Sequence, residues 1–208
     1  MVTIDIKPTR SELIKLKHRI RLAKSGYNLL KKKRDGLILE FFEILKSAKT
    51  IRKELIESYK EALLKVNIAR AAEGDITIKS IGLSIVNTAE IGMETKNIMG
   101  VIVPKIKAPE LRRSSFERGY GFMGVSARID EAAEAFERVV EQVIRAAEIE
   151  TSMKKLLKEI EKTKRRVNAL EYEIIPKLEK IRMFITLRLE EMERENIFRL
   201  KRIKKKAG

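Results

Sequence analysis

The chain has 208 residues, 37% of them charged and only 5% aromatic, with a formal net charge of +16. This composition, which includes no Trp, argues against a thick globular core, and the absence of Cys excludes a disulfide framework and thiolate metal sites. Because the chain holds a single His, the common zinc ligand sets are missing as well, and we expect neither a metal nor a cofactor.

The first predicted element is a long helix over residues 9–72. It begins just after Pro8, with Thr9 or Ser11 as the candidate N-cap. Gly26 and Gly36 lie inside it and indicate either close approach of a neighbour or tolerated surface glycines. Because a narrow apolar stripe has to pack on another helix, the spacing of three and four residues predicts a coiled coil. The stripe consists of Leu13, Leu16, Ile20, Ala23, Tyr27, Leu30, Leu37, Phe41, Ile44, Ala48, Ile51, Leu55 and Ala62.

The middle segment, residues 73–126, changes character after Glu73-Gly74-Asp75. Apolar and polar residues alternate on one side of a polar Thr95-Lys96-Asn97 stretch, and an apolar run closed by Pro104 follows it. This period of two predicts a β-hairpin at about residues 88–104. An isolated hairpin is barely stable in water, so one face is expected to rest on the helices or on another subunit. The expected contact residues are Ile91, Met93, Ile98, Val101 and Val103.

Residues 107–126 are interpreted as a mobile loop. Its glycine cluster, from Arg118 to Gly124, has neither the strand-to-helix context nor the Lys-Ser/Thr of a phosphate-binding loop. A nucleotide site is therefore not predicted there.

A second long helix is predicted over residues 127–203. Its apolar residues keep the heptad spacing up to Val167 and then change to a spacing of three, four and four. Pro176 lies inside this helix and should crowd the carbonyl of Tyr172, which predicts a kink without a break. The first part of the stripe consists of Ile129, Ala132, Phe136, Val139, Val143, Ala146, Met153, Leu157, Ile160 and Val167. The second part consists of Leu170, Ile174, Leu178, Ile181, Ile185, Leu189 and Met192.

Together these elements predict an all-α protein: a long antiparallel two-helix coiled coil with a small β-hairpin and loop in the middle of the chain. Matching the turn ends of the two helices places Pro176 level with Gly26. The same register leaves residues 199–206 beyond the start of the first helix.

The positive charge is concentrated near the two chain termini. Residues 1–35 hold 11 Lys and Arg against 3 acids, and residues 194–208 hold 7 against 1. Antiparallel pairing would bring these segments together into one basic tip, which predicts an electronegative partner or, alternatively, a merely solvated face. The residues expected to form the tip contact are Arg10, Arg34, Arg199, Lys201, Arg202, Lys204 and Lys205.

The sequence contains little that predicts catalysis. His18 falls outside the apolar stripe and is expected on the surface, and the glutamates near residue 190 alternate with arginines at the spacing of intrahelical ion pairs. No apolar run is long enough to span a membrane, and the first residues do not read as a signal peptide. The residues alone leave open a mechanical shaft or spacer, a nucleic-acid organiser and a coiled-coil adaptor.

Three segments resemble the D subunit of the archaeal and vacuolar-type rotary ATPases, the central rotor shaft. They are PTRSELIKLKHRIRLAKSGYNLLKKKRDGLILEFFEIL at residues 8–45, NIMGVIVP at residues 97–104 and TKRRVNALEYEIIPKLEKIRMFITLRLEEMERENIFRLKRIK at residues 163–204. The string RRVNALE followed by IIP is highly specific. Residues 68–85 and 107–126 match the family only loosely.

The resemblance implies a non-catalytic subunit that turns inside the ring of catalytic A and B subunits and couples ATP synthesis or hydrolysis to translocation of protons or sodium ions. It further implies contacts with the small F subunit and with a socket subunit above the membrane ring, but none with nucleic acid and no insertion into the membrane. The expected location is cytoplasmic, peripheral to the cell membrane of an archaeon. The shaft motif of the family carries over onto Arg165, Arg166, Asn168 and Pro176, and we expect the first three to hold polar contacts along the shaft. The alternative function is a basic coiled-coil protein that binds nucleic acid or acts as an adaptor.

Overall fold

The computed structural model describes residues 7–84, 91–107, 118, 120 and 126–207. Within these residues, four α-helices, a π-helical turn and two strands follow one another. They are α1 (Arg10–Glu73), α2 (Asp75–Ser84), β1 (Gly92–Ile98), β2 (Val101–Lys107), α3 (Ala127–Ala169), the π turn (Leu170–Ile174) and α4 (Ile175–Ala207). The predicted fold class, all-α with a small hairpin in the middle of the chain, is confirmed.

The ends of α1 are set by the residues that the sequence indicated. Thr9 is the N-cap, because its Oγ1 accepts a hydrogen bond of 3.2 Å from the backbone N–H of Glu12. At the other end, Gly74 adopts a φ of +85° and its N–H donates to the carbonyl of Arg70 at 3.0 Å, as in a left-handed C-cap. Helix α2 then begins directly at Asp75, a helix that the sequence analysis did not foresee.

The chain divides into two compact units. Unit 1 comprises Met1–Gly36 and Ile160–Gly208, and unit 2 comprises Leu37–Glu159. In unit 1, Leu16 and Ile20 of α1 pack against Ile181 and Ile185 of α4. The ion pair between Lys24 and Glu179, at 2.7 Å, continues this contact further along both helices and shows that they run antiparallel.

Unit 2 repeats the antiparallel arrangement with α1 and α3. Ala62 packs against Ala135 and Val139, whereas Arg52, ten residues earlier in α1, forms an ion pair of 2.6 Å with Glu150. Every residue of the predicted α1 stripe is buried or half-buried, so that prediction is confirmed along the whole helix.

The α3 stripe is confirmed less completely. Val143 and Leu157 remain 47% and 43% exposed, whereas Ile144 and Leu156, one position away from each, are buried. The hairpin contacts α3 on the same part of the helix: the carbonyl of Ile102 accepts a hydrogen bond of 3.1 Å from Lys155, and the N–H of Ile106 donates to Glu148 at 3.1 Å. With Val101 and Val103 of the hairpin buried as well, these contacts agree with the expectation that one hairpin face rests on a helix.

The predicted position of the hairpin turn is wrong. Met99 and Gly100 form the two-residue loop, with φ of +49° and +87°, and Ile98 pairs with Val101. Positive φ at both positions is typical of a type I′ turn, whose twist matches that of the flanking strands. Thr95-Lys96-Asn97 lies within β1, and Pro104, which was expected to close the second strand, lies inside β2.

Pro176 does not break the helix, as predicted. The chain accommodates it with the π turn at Leu170–Ile174, in which the backbone N–H of Ile175 donates to the carbonyl of Leu170. A π turn widens the backbone, which relieves the crowding that the proline ring would cause at the carbonyl of Tyr172. The change of apolar spacing beyond Val167 falls at this turn. Gly26 has open space where a side chain would lie, so close approach of a neighbour does not explain it.

Candidate partner-binding surfaces

The register of unit 1 leaves the end of α4 without a facing helix among the described residues. Arg10, the first residue of α1, forms an ion pair with Glu193. Helix α4 continues to Ala207, and every side chain from Glu190 to Lys206 is exposed. We call residues 194–206 the C-terminal tip. The prediction that the last residues extend past the start of the first helix is confirmed.

The C-terminal tip exposes both basic and large apolar side chains. Within the described residues its only ion pair joins Arg199 to Glu195 at 3.7 Å, so most of its cations lack a carboxylate partner. Cations in the last turn of a helix interact favourably with the macrodipole, which helps the segment to stay helical. Four large apolar side chains of the tip are between 53% and 66% exposed, namely Ile197, Phe198, Leu200 and Ile203.

Six of the seven residues predicted for the tip contact lie at this end of unit 1: Arg10, Arg199, Lys201, Arg202, Lys204 and Lys205. Arg34 does not. It lies on α1 at a distance of roughly 36 Å from Arg10 along the helix axis, at 1.5 Å per residue. Its guanidinium donates instead to the neighbouring Asp35, with Nη2 2.7 Å from Oδ1. The sequence analysis placed Arg34 at the tip because it lies near the amino terminus in the chain. Since α1 is continuous from Arg10, Arg34 lies more than six helical turns away from that end.

Three residues of the shaft motif, Arg165, Arg166 and Asn168, have exposed side chains in unit 1, and the fourth, Pro176, is half-buried. Arg165, Arg166 and Asn168 form no hydrogen bond or ion pair with other described residues, so the expected polar contacts are absent there. Thr163 and Val167, in the same turns, are 2% and 1% exposed. The motif thus presents one buried face to unit 1 and one polar face outward.

The predicted hairpin residues separate into two groups. Val101 and Val103 of β2 are buried within unit 2, and Ile98 is half-buried. Ile91 and Met93 are 51% and 76% exposed and remain open to a partner. Because Val101 and Val103 belong to the core of unit 2, they are not available for a partner contact.

A cluster around Arg118 escaped the sequence analysis. Arg118 is 8% exposed, and its Nε and Nη2 donate to the two carboxylate oxygens of Glu137 at 2.9 and 3.0 Å. Its Nη1 lies 3.3 Å from both the backbone carbonyl and the Oδ1 of Asp130, and Tyr120 donates to that Oδ1 at 2.6 Å. Asp130 and Glu137 are seven residues apart and share one face of α3. The cluster attaches the chain at residues 118 and 120 to α3.

The titration behaviour of the cluster follows from these contacts. The hydrogen bonds with Glu137 raise the pKa of Arg118 above its ordinary value, so its charge is permanent. Burial raises the pKa of Tyr120, and the hydrogen bond to Asp130 raises it further. In unit 1, the hydrogen bond from Lys24 lowers the pKa of Glu179.

Two further properties concern the described part of the chain. No group of three or more His, Cys, Asp or Glu side chains in it is arranged to hold a metal ion. None of the helices described is both long enough and apolar enough to cross a bilayer. The surfaces that stand out are therefore the C-terminal tip, the outer face of the shaft motif and the exposed side of the hairpin.

Comparison with known proteins decides the family. The family model for the D subunit of ATP synthase matches residues 12–205. The chain belongs to the ATP synthase D-subunit family. It is 58% identical to the D subunit of the A-type ATP synthase of Methanococcoides burtonii over 201 residues, covering 97% of this chain and 98% of that protein.

Other members of the D-subunit family match over similar lengths. The D subunit of the A-type ATP synthase of Methanoregula boonei is 53% identical over 208 residues, with 100% of both chains covered. That of Archaeoglobus fulgidus is 50% identical over 205 residues, with 98% of both chains covered. The resemblance that the three sequence segments predicted is confirmed, and it extends over nearly the whole chain.

Proposed function

We propose that this D subunit is the non-catalytic central-stalk rotor of an archaeal rotary ATPase. In this proposal it turns inside the ring of catalytic A and B subunits and couples ATP synthesis or hydrolysis to the movement of protons or sodium ions by the membrane rotor. The observation that carries the proposal is the C-terminal tip, an exposed basic helix that continues past the residue where α1 begins.

The chemistry of the C-terminal tip supports a ring with an acidic and partly apolar inner wall. Seven cations against one carboxylate in residues 194–208 give a strong positive field that reaches about 8 Å at physiological salt. Such attraction varies smoothly with angle, which suits a surface that has to turn against its neighbour. The exposed apolar residues of the tip would supply contact area without fixed hydrogen bonds.

Asymmetry is the second requirement of a rotor, because each catalytic site has to meet a different face in turn. The π turn at Leu170–Ile174 and Pro176 interrupt the regular helix in unit 1, and the polar face of Arg165, Arg166 and Asn168 lies on the turns before it. We propose that this face contacts the ring on one side of the shaft, with no chemical role.

The remaining partner proposals rest on exposed apolar side chains of unit 2. Helix α2 leaves Ile76 and Leu83 each 85% exposed, one heptad apart on the same face, and we assign this face to the socket subunit above the membrane ring. We assign the exposed residues Ile91 and Met93 of the hairpin to the F subunit. Through these contacts the protein would be held on the cytoplasmic side of the cell membrane, peripheral to it.

A reversible cross-link tests rotation directly. The chain contains no Cys, so an Arg199→Cys variant carries a unique thiol at the tip. A disulfide from this thiol to a cysteine introduced on the inner wall of the ring should stop ATP hydrolysis by the assembled complex, and reduction should restore it. The same complex under reducing conditions is the matched control. Full hydrolysis with the cross-link intact would show that the D subunit is static.

The competing function is nucleic-acid binding, which the unpaired cations of the tip would also permit. A duplex binder would show an affinity that falls steeply with salt concentration and no affinity for the catalytic ring. We expect the protein to bind the catalytic ring, and we expect the ring to displace any bound duplex at physiological salt.

A further inference from the structure

Unit 2 contains an apolar groove between α1 and α3. Its volume is about 210 Å³. That is larger than the engineered apolar cavity of about 150 Å³ that admits benzene. We call it the seam groove. Its lining consists of Leu45, Ala48, Lys49, Ile51, Arg52, Leu55, Ala146, Ile149, Glu150 and Met153.

The groove exists because small and charged residues occupy positions where a coiled coil normally holds large apolar ones. Ala48 and Ala146 belong to the apolar stripes of α1 and α3, and Glu150 interrupts the second stripe. Alanine at such positions leaves room that a Leu or Ile would fill. The apolar floor offers few partners to water, which favours an apolar occupant over a polar one.

The rim of the groove is charged on both helices. Arg52 donates to Glu150 with Nη2 2.6 Å from Oε1, so these two charges neutralise each other. Lys49 is exposed and has no ion-pair partner among the described residues. The rim therefore has a surplus of one positive charge beside an apolar floor.

We propose that the seam groove is a binding site for a small anionic amphiphile, a molecule with a short alkyl chain and a single carboxylate or sulfate group. The alkyl chain would lie against Ile51, Leu55 and Met153, and the anionic group would pair with Lys49. A free molecule fits this description and a bilayer surface does not, because the groove lies between two paired helices. The proposal is independent of the rotor function.

Binding to the purified full-length chain tests the proposal with three probes of equal chain length: octanoate, octanol and octylammonium. Titration followed by calorimetry and by chemical shifts of the Met153 methyl group should rank octanoate above octanol and octanol above octylammonium. Equal affinity for the anionic and cationic probes would contradict the charge complementarity. Competition by vesicles of anionic phospholipid against octanoate would contradict the choice of a free ligand.

Three variants separate the roles of the floor and the rim. Ala48→Leu fills the groove and should abolish binding of all three probes, and Ala146→Leu gives the same test if the first variant does not fold. Lys49→Gln leaves the floor intact and should weaken octanoate binding by about two- to fivefold, the effect of one exposed ion pair, without changing octanol binding. Lys32→Gln, a cation of unit 1, is the matched control and should change nothing. Unaltered octanoate binding by both filling variants would overturn the proposal.

Discussion

Arg10, at the first position of α1, forms an ion pair with Glu193 of α4. This contact marks the register that the apolar core of unit 1 sets. Beyond it α4 continues to Ala207, and the side chains described there are all exposed. Exposed apolar residues on a basic helix end are typical of a surface that binds another protein. In a member of the ATP synthase D-subunit family, this helix end is what supports the proposed contact with the catalytic ring.

Removal of residues 199–208 should weaken binding to the catalytic ring by about tenfold or more, since several exposed ion pairs are lost at once. Unit 1 should stay folded, because the deleted side chains described are exposed. Affinity measured at two salt concentrations checks the cause, as the difference from the full chain should shrink at high salt. Deletion of Ala207 and Gly208 alone keeps every cation and is the control. Equal affinity of the long deletion and this control would show that the tip does not bind.

Replacement of Arg118 by Gln should destabilise unit 2 by about 3 kcal/mol. The carboxylates of Glu137 and Asp130 are half-buried, and they would lose the cation that both of them contact. Arg118→Lys should recover only part of this, since an ammonium cannot bond both oxygens of Glu137 in the same way. Urea unfolding of the three proteins measures the difference. A loss below about 1 kcal/mol for Arg118→Gln would show that the cluster is not an anchor.

The raised pKa of Tyr120 should make the stability of unit 2 depend on pH in the alkaline range. Its pKa is raised above the ordinary value of 10.0, so the unfolded chain loses the phenolic proton first. The associated stability is therefore fully present below about pH 10 and is lost as the pH rises through the pKa of the folded protein. Tyr120→Phe should be less stable than the parent by about 1 kcal/mol near neutral pH. The difference should shrink above about pH 10. A difference that stays constant in thermal unfolding across this range would contradict the assignment.

Pro176→Ala should stabilise unit 1 by about 1 kcal/mol, part of the roughly 3 kcal/mol that proline costs inside a helix. The π turn already relieves some of that cost. Without the proline ring, Leu170–Ile174 can return to α-helical hydrogen bonds, which amide hydrogen exchange should detect as slower exchange at these residues. Unchanged exchange together with unchanged stability would indicate that the proline does not cause the π turn.

Met99 occupies a left-handed conformation at φ +49°, which is unfavourable for a side chain with a Cβ. Met99→Asn creates the Asn-Gly pair that type I′ turns prefer and should stabilise the hairpin by about 0.5–1 kcal/mol. Gly100→Ala, at φ +87°, should act in the opposite direction and serves as the comparison. Thermal unfolding of the two variants should place the parent between them; any other order would contradict the turn type.

The sequence predicted the helix pairing well because the signal is periodic. Leu16 and Ile20 in α1 and Ile181 and Ile185 in α4 repeat at helical spacing, and these residues form the core of unit 1. Burial of one face by a facing helix leaves that period in the sequence, so both partners were identifiable without a structure.

The hairpin turn was misplaced because β1 is exposed over most of its length. Polar residues such as Thr95, Lys96 and Asn97 are tolerated in a strand whose side chains face water, and they resemble a turn. The sequence feature that marks the turn is Gly100, three residues after Asn97. The side-chain oxygen of Asn97 accepts a hydrogen bond of 2.7 Å from the N–H of Gly100.

The Arg118 cluster could not be found from the sequence because its partners are distant in the chain. Glu137 lies 19 residues from Arg118, and nothing in the local pattern links the two. The signal that existed was the pair Asp130 and Glu137 on one face of α3, with an Arg and a Tyr shortly before them in the sequence. Arg34 was misassigned for the opposite reason, since proximity to a terminus in the chain does not mean proximity along a helix.

The measurement that tests the central claim most directly is observation of a single complex. The catalytic ring is fixed to a surface, and a bead is attached to a cysteine introduced at Thr77 on α2, an exposed position off the face of Ile76 and Leu83 in an otherwise cysteine-free chain. The account predicts unidirectional rotation of the bead in steps that depend on the ATP concentration. A bead that only fluctuates about one angle while the ring hydrolyses ATP at its full rate would contradict the rotor function.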